Sequence, residues 1–217
     1  MPLSISVFSD VVCPWCYLGK KRLEAALDEA GLRDTTAVEW LPYELNPDFP
    51  ETGMARADYR AAKFGQERSA TLDAEMTERG RQEGVAFAFD RIARTPNTRK
   101  AHRLIAAANK AGLGDPIATA LFRAYFEEGR DIGDEAVLIG IATQTVLDRA
   151  AAEAALADQQ IGREVAALEA EAARIGVSGV PFFIVDRSWA VSGAQPADAW
   201  IAALRERVGS GEGLAAG

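Results

Sequence analysis

The feature that most constrains the fold of this chain is a Cys-Pro-Trp-Cys sequence between a short strand and the start of a helix. Leu3 to Phe8 alternates apolar and small polar residues, which is typical of a β-strand. Cys13 and Cys16 follow, and they are the only cysteines in 217 residues. Two thiols one helical turn apart are close enough to form a small disulfide ring. The motif therefore predicts a redox-active cysteine pair on a strand–helix turn.

Charge and hydropathy exclude several classes of function. The net charge is −8 and the isoelectric point is near 4.9, with no Lys/Arg-rich block, so we expect no nucleic-acid partner. No apolar run approaches the ~18–20 residues that cross a bilayer, so we expect no membrane span. Residues 1–7 lack the basic and long apolar regions of a signal peptide, which predicts a cytoplasmic protein. In that compartment a cysteine pair is catalytic or metal-binding more often than structural.

The first part of the chain has a strand–helix–strand pattern. After the cysteines, Leu23, Leu27 and Ala30 repeat at helical spacing, and the helix is expected to end near Gly31. Residues 37–43 form the second predicted strand. A helix that connects two strands implies a right-handed crossover and a parallel pair.

The middle of the chain, residues 55–175, is predicted to be helical, with residues 85–89 as its only candidate strand. Asp134 is a plausible N-cap residue. An apolar stripe on the last of these helices (Ile161, Val165, Leu168, Ala172, Ile175) predicts a core-facing surface. The predicted helices cover residues 57–81, 97–111, 116–128, 135–142, 148–157 and 159–175.

Strands return after Gly176. Residues 180–185 are a continuous apolar run, residues 186–188 a turn, and residues 189–191 a short partner strand, which together predict a hairpin. A last helix is predicted over residues 197–208. The order is therefore β-α-β, a block of helices, then β-β-α.

This order resembles a thioredoxin fold with a helical insertion, the architecture of the DsbA family. The closer resemblance is to its cytosolic FrnE-like branch, which is similar to 2-hydroxychromene-2-carboxylate isomerases and kappa-class glutathione transferases. Two departures stand out: a second cysteine pair found in some FrnE-type proteins is absent, and the isomerase and kappa branches have a serine in place of Cys13. The segments that carry the resemblance are Phe8–Asp10 with Cys13–Gly19, Leu45–Pro47, Asn97–Thr98 with Ala101–Leu104, Gly176–Phe183 and Ser192–Gln195.

The resemblance implies an α/β protein in three parts. Residues 1–54 and 176–208 would form the thioredoxin-like domain, residues 55–175 an all-helical insertion, and residues 209–217 a flexible tail. The kappa-type relatives suggest a homodimer, which nothing in the sequence decides.

Cys13 is the expected nucleophile and Cys16 the expected resolving thiol. Unpaired N–H groups and the dipole at a helix N-terminus favour the thiolate that attacks a disulfide. Pro14 is tolerated at the first helical position because its missing N–H would have no partner there. We expect the amides of Trp15 and Cys16 to donate to the Cys13 sulfur. Cys16, one turn further into the helix, would release the mixed disulfide.

Four residues are expected to bind substrate: Pro14, Trp15, Val180 and Pro181. Trp15 follows a proline in an exposed turn and offers a flat apolar face, the alternative being a core position. In a thioredoxin-like fold the Val180–Pro181 bond is cis and faces the cysteines, where the Val180 backbone would bond an extended substrate. From the sequence alone, a trans proline at the first residue of a strand is equally allowed.

Other polar residues near the motif have structural and functional interpretations. For Asp10 we favour a role in fixing the strand–helix turn over proton relay. His102 is the only histidine, and we favour a structural or groove-lining role over a catalytic one. The Lys20–Arg22 cluster is interpreted as a solvated helix face rather than as support for the thiolate. No Cys/His ligand set is present, so no metal is expected.

The leading hypothesis is a cytosolic thiol–disulfide oxidoreductase that acts on protein or small-molecule disulfides and thiols. It needs no cofactor beyond the Cys13–Cys16 disulfide, with glutathione as a candidate co-substrate. The alternative is a glutathione-dependent isomerase or transferase in which Cys13 positions glutathione and Cys16 is incidental. A weaker alternative is a binding module or chaperone that uses the Trp15 groove without turnover.

Overall fold

The structure, a computed structural model, describes residues 3–212 and the side chains of residues 3–206. The strands are β1 (Leu3–Ser9), β2 (Thr36–Pro42), β3 (Met54–Ala55), β4 (Arg94–Thr95), β5 (Phe182–Val185) and β6 (Trp189–Ser192). The helices are α1 (Pro14–Glu29), α2 (Arg56–Phe64), α3 (Gln66–Gln82), α4 (Arg99–Asn109), α5 (Gly114–Phe126), α6 (Glu135–Thr145), α7 (Arg149–Ala157), α8 (Gln159–Arg174) and α9 (Ala197–Glu212).

The main sheet has the strand order β2-β1-β5-β6. β1 and β2 are parallel and are connected through α1, as the crossover argument predicts. β5 runs antiparallel to β1, and β6 antiparallel to β5. Val7 pairs with Trp40 on one side and Phe183 on the other, and all three are buried. The fold is the α/β thioredoxin type expected from the sequence, with a helical segment between β2 and β5.

The hairpin between β5 and β6 turns through Asp186 and Arg187, at φ of +47° and +57°. Val185 pairs with Trp189, so the loop has the three residues expected from the sequence, and the Ser188 N–H donates to the Val185 carbonyl at 3.1 Å. Two successive left-handed residues match the twist of the flanking strands. The Asp186 carboxylate also accepts a hydrogen bond from the backbone N–H of Ser4 at 3.0 Å. The turn is therefore tied to the start of β1.

The single helix expected over residues 57–81 is wrong: the structure has two helices, α2 and α3. They meet at Gly65, whose φ of +78° and ψ of 155° are accessible almost only to glycine. The continuous polar and alanine-rich pattern on both sides of Gly65 concealed the break. The consequence is a helical corner above the end of β1.

The candidate strand over residues 85–89 is also absent. Val85, Phe87 and Phe89 are buried, whereas Ala86 and Ala88 are less so, and this alternation mimics a strand. The segment is an irregular loop that ends in a 3₁₀ turn at Phe89–Arg91. The short strands of this region are β3 and β4, which pair antiparallel with two residues each.

Aromatic side chains join the helical segment to the thioredoxin-like part. Tyr17 of α1 stacks on Phe122 of α5 at 5.1 Å between ring centroids, and Trp40 of β2 meets Phe122 edge-on at 5.8 Å. These rings lie in one continuous hydrophobic cluster with residues of α4 to α7. The helices are therefore packed directly onto α1 and β2.

Two other expectations about helices need correction or extension. On α8, Ile161, Val165 and Ala172 are buried as predicted, but Ile175 is 39% exposed because the helix ends at Arg174. Asp134 caps α6 as expected, accepting from the Val137 amide at 3.0 Å. α9 extends to Glu212, four residues beyond its expected end, and residues 213–217 of the predicted tail lie outside the described residues.

The basic cluster on α1 is not a solvated face, contrary to expectation. The Lys20 side chain is buried and bonds Glu24 at 2.7 Å and Asp115 at 2.6 Å. Arg22 is paired with Glu83. Burial of these charges is compatible with stability because each has carboxylate partners.

No helix in the described part of the chain is long and apolar enough to cross a membrane.

Candidate active site

The redox motif lies where β1 ends and α1 begins. The Cys13 N–H donates to the Asp10 carbonyl at 3.0 Å, which closes the turn between the two elements. Cys13 is the N-cap residue, with an extended backbone (φ −92°, ψ 112°), and Pro14 opens the helix. The local chain thus places Cys13 at the N-terminus of α1, as predicted.

The expected hydrogen bonds to the Cys13 sulfur are not present. The Cys16 amide donates to the Cys13 carbonyl at 3.0 Å instead, and the Cys13 side chain makes no capping bond. The Cys13 thiol donates to the carbonyl of Val180 at 3.7 Å, which is within the range for sulfur. The Cys13 sulfur therefore faces the Val180 carbonyl and does not cap α1.

The Val180–Pro181 peptide bond is cis and lies against the cysteine turn, as the resemblance implied. α1 approaches this proline closely at Gly19. A Cβ at position 19 would lie 2.9 Å from Cγ of Pro181 and 3.3 Å from Cζ of Phe183. Glycine at this position therefore allows α1 to pack directly on Pro181 and β5.

The two thiols differ in burial. Both are free in this structure; Cys13 is 5% exposed and Cys16 is 0% exposed. Burial is the main cause that raises the pKa of Cys16 well above its ordinary value, and the adjacent Cys13 raises it further. Cys16 is thus held protonated behind Cys13.

A cavity of about 300 Å³ adjoins Cys13. Trp15 is 40% exposed and lines it, so the core alternative for this side chain is wrong. The helical corner of α2 and α3 covers the opposite side. Its lining comprises Val12–Trp15, Leu45, Arg56, Tyr59, Arg60, Lys63, Phe64, Leu72, Asp73, Glu75, Met76, Arg79, Phe89, Ile92, Thr95, Tyr125 and Phe126.

Charged side chains on α2 and α3 line this cavity. Arg56 and Arg60 share the carboxylate of Asp73, at 2.7 and 2.6 Å. The Arg56 guanidinium lies over the ring of Phe89, 5.1 Å from its centroid. This arrangement fixes two helices to each other and leaves one guanidinium charge in excess of the shared carboxylate.

Asp10 is completely buried beneath the turn. Its carboxylate accepts from the Leu45 amide at 2.8 Å, while its carbonyl holds Cys13. Asp10 therefore connects the loop after β2 to the redox turn, which supports the favoured structural interpretation.

His102 lies on α4 behind Asp10 and does not line the cavity. Its Nε2 is 3.5 Å from Oδ1 of Asp10, and neither atom has a hydrogen-bond partner within the described residues. Glu44 lies close enough to His102 to interact with it electrostatically. Burial raises the pKa of Glu44, the charge of Glu169 raises it further, and Arg99 opposes this rise. These buried groups form a polar layer under the turn, and the groove-lining option for His102 is wrong.

The match to a known protein family covers nearly the whole chain. Residues 4–205 match the DSBA-like thioredoxin domain. The chain belongs to the DsbA-like thioredoxin domain family. The uncharacterized protein YwbO of Bacillus subtilis (strain 168) is 30% identical over 188 residues, which are 85% of this chain and 88% of YwbO.

Solved structures agree with this DsbA-like assignment. A probable DsbA oxidoreductase from Streptomyces coelicolor is 33% identical, with a TM-score of 0.86 over 95% of this chain and 90% of that one. A 2-hydroxychromene-2-carboxylate isomerase shares the fold at 15% identity and a TM-score of 0.73, over 97% and 98% of the two chains. The cytosolic disulfide reductase DsbM from Pseudomonas aeruginosa, solved with GSH, shares the fold at 23% identity and a TM-score of 0.66, over 94% of this chain and 98% of that one. These neighbours are consistent with the FrnE-like branch.

The DsbA-like fold brings together most of the residues singled out from the sequence: Cys13, Pro14 and Trp15 at the cavity, Cys16 behind them, and Val180–Pro181 against Cys13. Sequence analysis missed the cavity's cationic side chains. Arg56, Arg60 and Lys63 recur at intervals of four and three on one helix face, and this spacing was the available signal.

No group of three or more His, Cys, Asp or Glu side chains in the described residues is arranged to hold a metal ion. Family membership places this chain among the DsbA-like thiol oxidoreductases, which act on thiols and disulfides.

Proposed function

We propose that this chain is a two-cysteine thiol–disulfide oxidoreductase, with Cys13 as nucleophile and Cys16 as resolving thiol. The observation that carries the proposal is the unequal placement of the two thiols. Cys13 lines the cavity at a helix N-terminus, whereas Cys16 is wholly buried behind it with a raised pKa. A substrate therefore meets Cys13 first.

The reduction of a disulfide then proceeds in two exchanges. The Cys13 thiolate attacks one sulfur of the substrate, the substrate S–S bond breaks, and one thiol leaves with a proton. Cys16 loses its proton and attacks the Cys13 sulfur, which releases the second substrate thiol. Two electrons pass from the enzyme dithiol to the substrate, and the Cys13–Cys16 disulfide remains; oxidation of a dithiol is the reverse.

The surrounding groups contribute to substrate binding in this proposal. Trp15 presents an exposed indole beside Cys13, and Pro14 withholds an N–H that would otherwise need a partner. Val180 and Pro181 form the facing wall. Asp10 holds the turn, and no resident cofactor is required.

We also propose the division of labour between the parts of the chain. Residues 1–54 and 176–208 supply the redox turn and its wall, and the helical insertion of residues 55–175 covers the cavity and selects substrates. The presence of α2 and α3 side chains around Cys13 supports this. We propose that the protein works in the cytoplasm on protein or small-molecule disulfides; DsbM, a fold neighbour, is described as cytosolic and was solved with GSH.

The glutathione-dependent isomerase or transferase function remains the second candidate. A cavity beside Cys13 of about 300 Å³ is at the lower end of small-molecule sites, which favours a small ligand. In that function Cys13 would position glutathione and Cys16 would be dispensable. A homodimer, as in kappa-type proteins, is a separate proposal that light scattering after size exclusion would test.

Insulin-disulfide reduction and dithiol oxidation by wild type, Cys13→Ser and Cys16→Ser test the proposal. We expect turnover in the wild type and its loss in both variants. Equal turnover by all three proteins would remove the oxidoreductase function. Turnover of aromatic isomerase substrates with glutathione, retained in Cys16→Ser, would establish the second candidate instead.

A further inference from the structure

The cavity at Cys13 carries a local charge opposite to that of the whole chain. Its lining includes four cationic side chains and two carboxylates, an excess of two positive charges, whereas the chain has a net charge of −8. Asp73 neutralises only one of Arg56 and Arg60, and Glu75 is exposed at the rim. The cavity is therefore a cationic site in an anionic protein.

Two of these cations have no carboxylate partner within the described residues. The Arg79 guanidinium lies over the indole of Trp15, 5.6 Å from the ring centroid. Trp15 is two positions along the chain from Cys13. Lys63 contacts only neutral groups: the hydroxyl of Tyr59 at 2.7 Å and the rings of Tyr59 and Phe64. Both side chains are exposed, so their charge is available to a ligand.

We propose that the cavity selects low-molecular-weight disulfides that carry carboxylate groups, and that Lys63 and Arg79 bind those carboxylates. This substrate class rests on the oxidoreductase function proposed above. The cations fit carboxylates, the apolar lining (Leu72, Met76, Phe89, Phe126) fits a carbon skeleton, and the volume fits a small molecule.

The exchange itself balances without any further reactant. The pre-reduced enzyme supplies both electrons: Cys13 forms a mixed disulfide and displaces one substrate thiol, and Cys16 then displaces the second. The products are the Cys13–Cys16 disulfide and two carboxylate-bearing thiols. Lys63 and Arg79 keep their protons throughout and act by attraction alone.

Three small disulfides with charged or neutral groups at similar distance from sulfur provide the test. They are 3,3′-dithiodipropionate (anionic), bis(2-hydroxyethyl) disulfide (neutral) and cystamine (cationic). The pre-reduced protein is mixed with each at low ionic strength, and the second-order rate is divided by that of dithiothreitol with the same disulfide. This ratio removes differences in intrinsic reactivity.

The net charge of −8 alone predicts the order cationic, neutral, anionic, because the chain repels anions. The local site predicts the reverse order. Arg79→Gln and Lys63→Gln should each lower the ratio of the anionic rate to the neutral rate about two- to fivefold at low salt, and this effect should disappear in high salt. Arg68→Gln, an exposed cation on α3 outside the cavity, should leave this ratio unchanged.

A preference for cystamine, or an equal loss of the anionic rate in Arg68→Gln and Arg79→Gln, would overturn the proposal. Reaction of the neutral disulfide would still support the oxidoreductase function in that case. Faster reduction of insulin than of all three disulfides, with the same loss in Arg79→Gln, would assign the cations to a protein substrate and also overturn it. If no disulfide reacts, both proposals are wrong.

Discussion

At the scale of single residues, burial separates the roles of two chemically identical thiols. Cys16 is enclosed by protein. Burial is the main cause of its raised pKa, and the nearby Cys13 raises the pKa further. Cys13 adjoins the cavity and donates to the Val180 carbonyl. In the proposed mechanism, the first exchange with a substrate therefore falls to Cys13, and Cys16 reacts once a mixed disulfide is present.

Gly19→Ala tests the close approach of α1 to Pro181. An alanine in a helix is ordinarily favoured over glycine by about 1 kcal/mol. Here its Cβ would meet the Pro181 ring at 2.9 Å, so we expect a net loss of about 1–3 kcal/mol in the free energy of unfolding, measured with urea. Gly140→Ala on α6, where the nearest atom lies at 3.7 Å, is the matched control and should be neutral or stabilising.

Asp10 offers a choice between anchoring and proton transfer. Asp10→Asn retains an oxygen that can accept from the Leu45 amide, whereas Asp10→Ala leaves that amide unpaired at a cost of about 1–3 kcal/mol. Under the anchoring role we expect Asn to keep near wild-type disulfide reduction and Ala to lose stability. A folded Asn variant with reduction as slow as Ala at every pH would establish proton transfer.

At the scale of elements, α1 is held to its neighbours by a buried ionic network. Lys20 bonds Glu24 on the same helix and Asp115 on α5, and Trp40 of β2 donates to the same Asp115 carboxylate at 2.9 Å. A lysine this buried is stable only with its partners in place. The network thus fixes the helix that carries the redox turn.

Glu24→Gln should reveal this network through its pH dependence. Burial by itself would raise the pKa of Glu24, but Lys20 and Arg33 outweigh burial and lower the pKa to about 2 from 4.5. A lowered pKa stabilises the folded state above pH 4.5, and this contribution is lost as the pH falls towards 2. We expect the free energy of unfolding of the wild type to exceed that of Glu24→Gln by about 1–2 kcal/mol near pH 7.

Urea unfolding from pH 7 to pH 2.5 would show the difference shrinking below pH 4.5. Glu39→Gln, at an exposed position on β2 without an ion pair in the described residues, is the control and should show a much smaller change over the same range. A constant difference across the whole range would contradict the assignment.

Much of the element order could be predicted, since the strands around the motif have clear patterns and the caps are local. The break at Gly65 depends on one backbone conformation inside a continuous helical composition. The burial of Lys20 depends on Asp115, which is 95 positions away in the sequence. Such long-range partners have no local signal. The spacing of Arg56, Arg60 and Lys63 on one helix face is a local signal for the cationic side chains, but it does not show that this face lies beside Cys13.

At the scale of the whole molecule, the fold brings Cys13, the Val180–Pro181 segment and the helices α2 and α3 together around one cavity. Val180 lies 167 positions after Cys13 yet accepts its thiol hydrogen, because β5 is adjacent to β1 in the sheet. Two helices of the segment between β2 and β5, α2 and α3, contribute side chains to the cavity beside Cys13. Residues of α2 and α3 therefore line the cavity through which we propose that a substrate reaches Cys13.

Trapping of a mixed disulfide tests the central claim most directly. Reduced wild type, Cys13→Ser and Cys16→Ser are each mixed with bis(2-hydroxyethyl) disulfide, quenched with acid and analysed by mass spectrometry of peptides. The account predicts a stable adduct on Cys13 in Cys16→Ser, an internal Cys13–Cys16 disulfide in the wild type, and unmodified Cys16 in Cys13→Ser. Rapid adduct formation on Cys16 in Cys13→Ser, or none on Cys13 in Cys16→Ser, would contradict it.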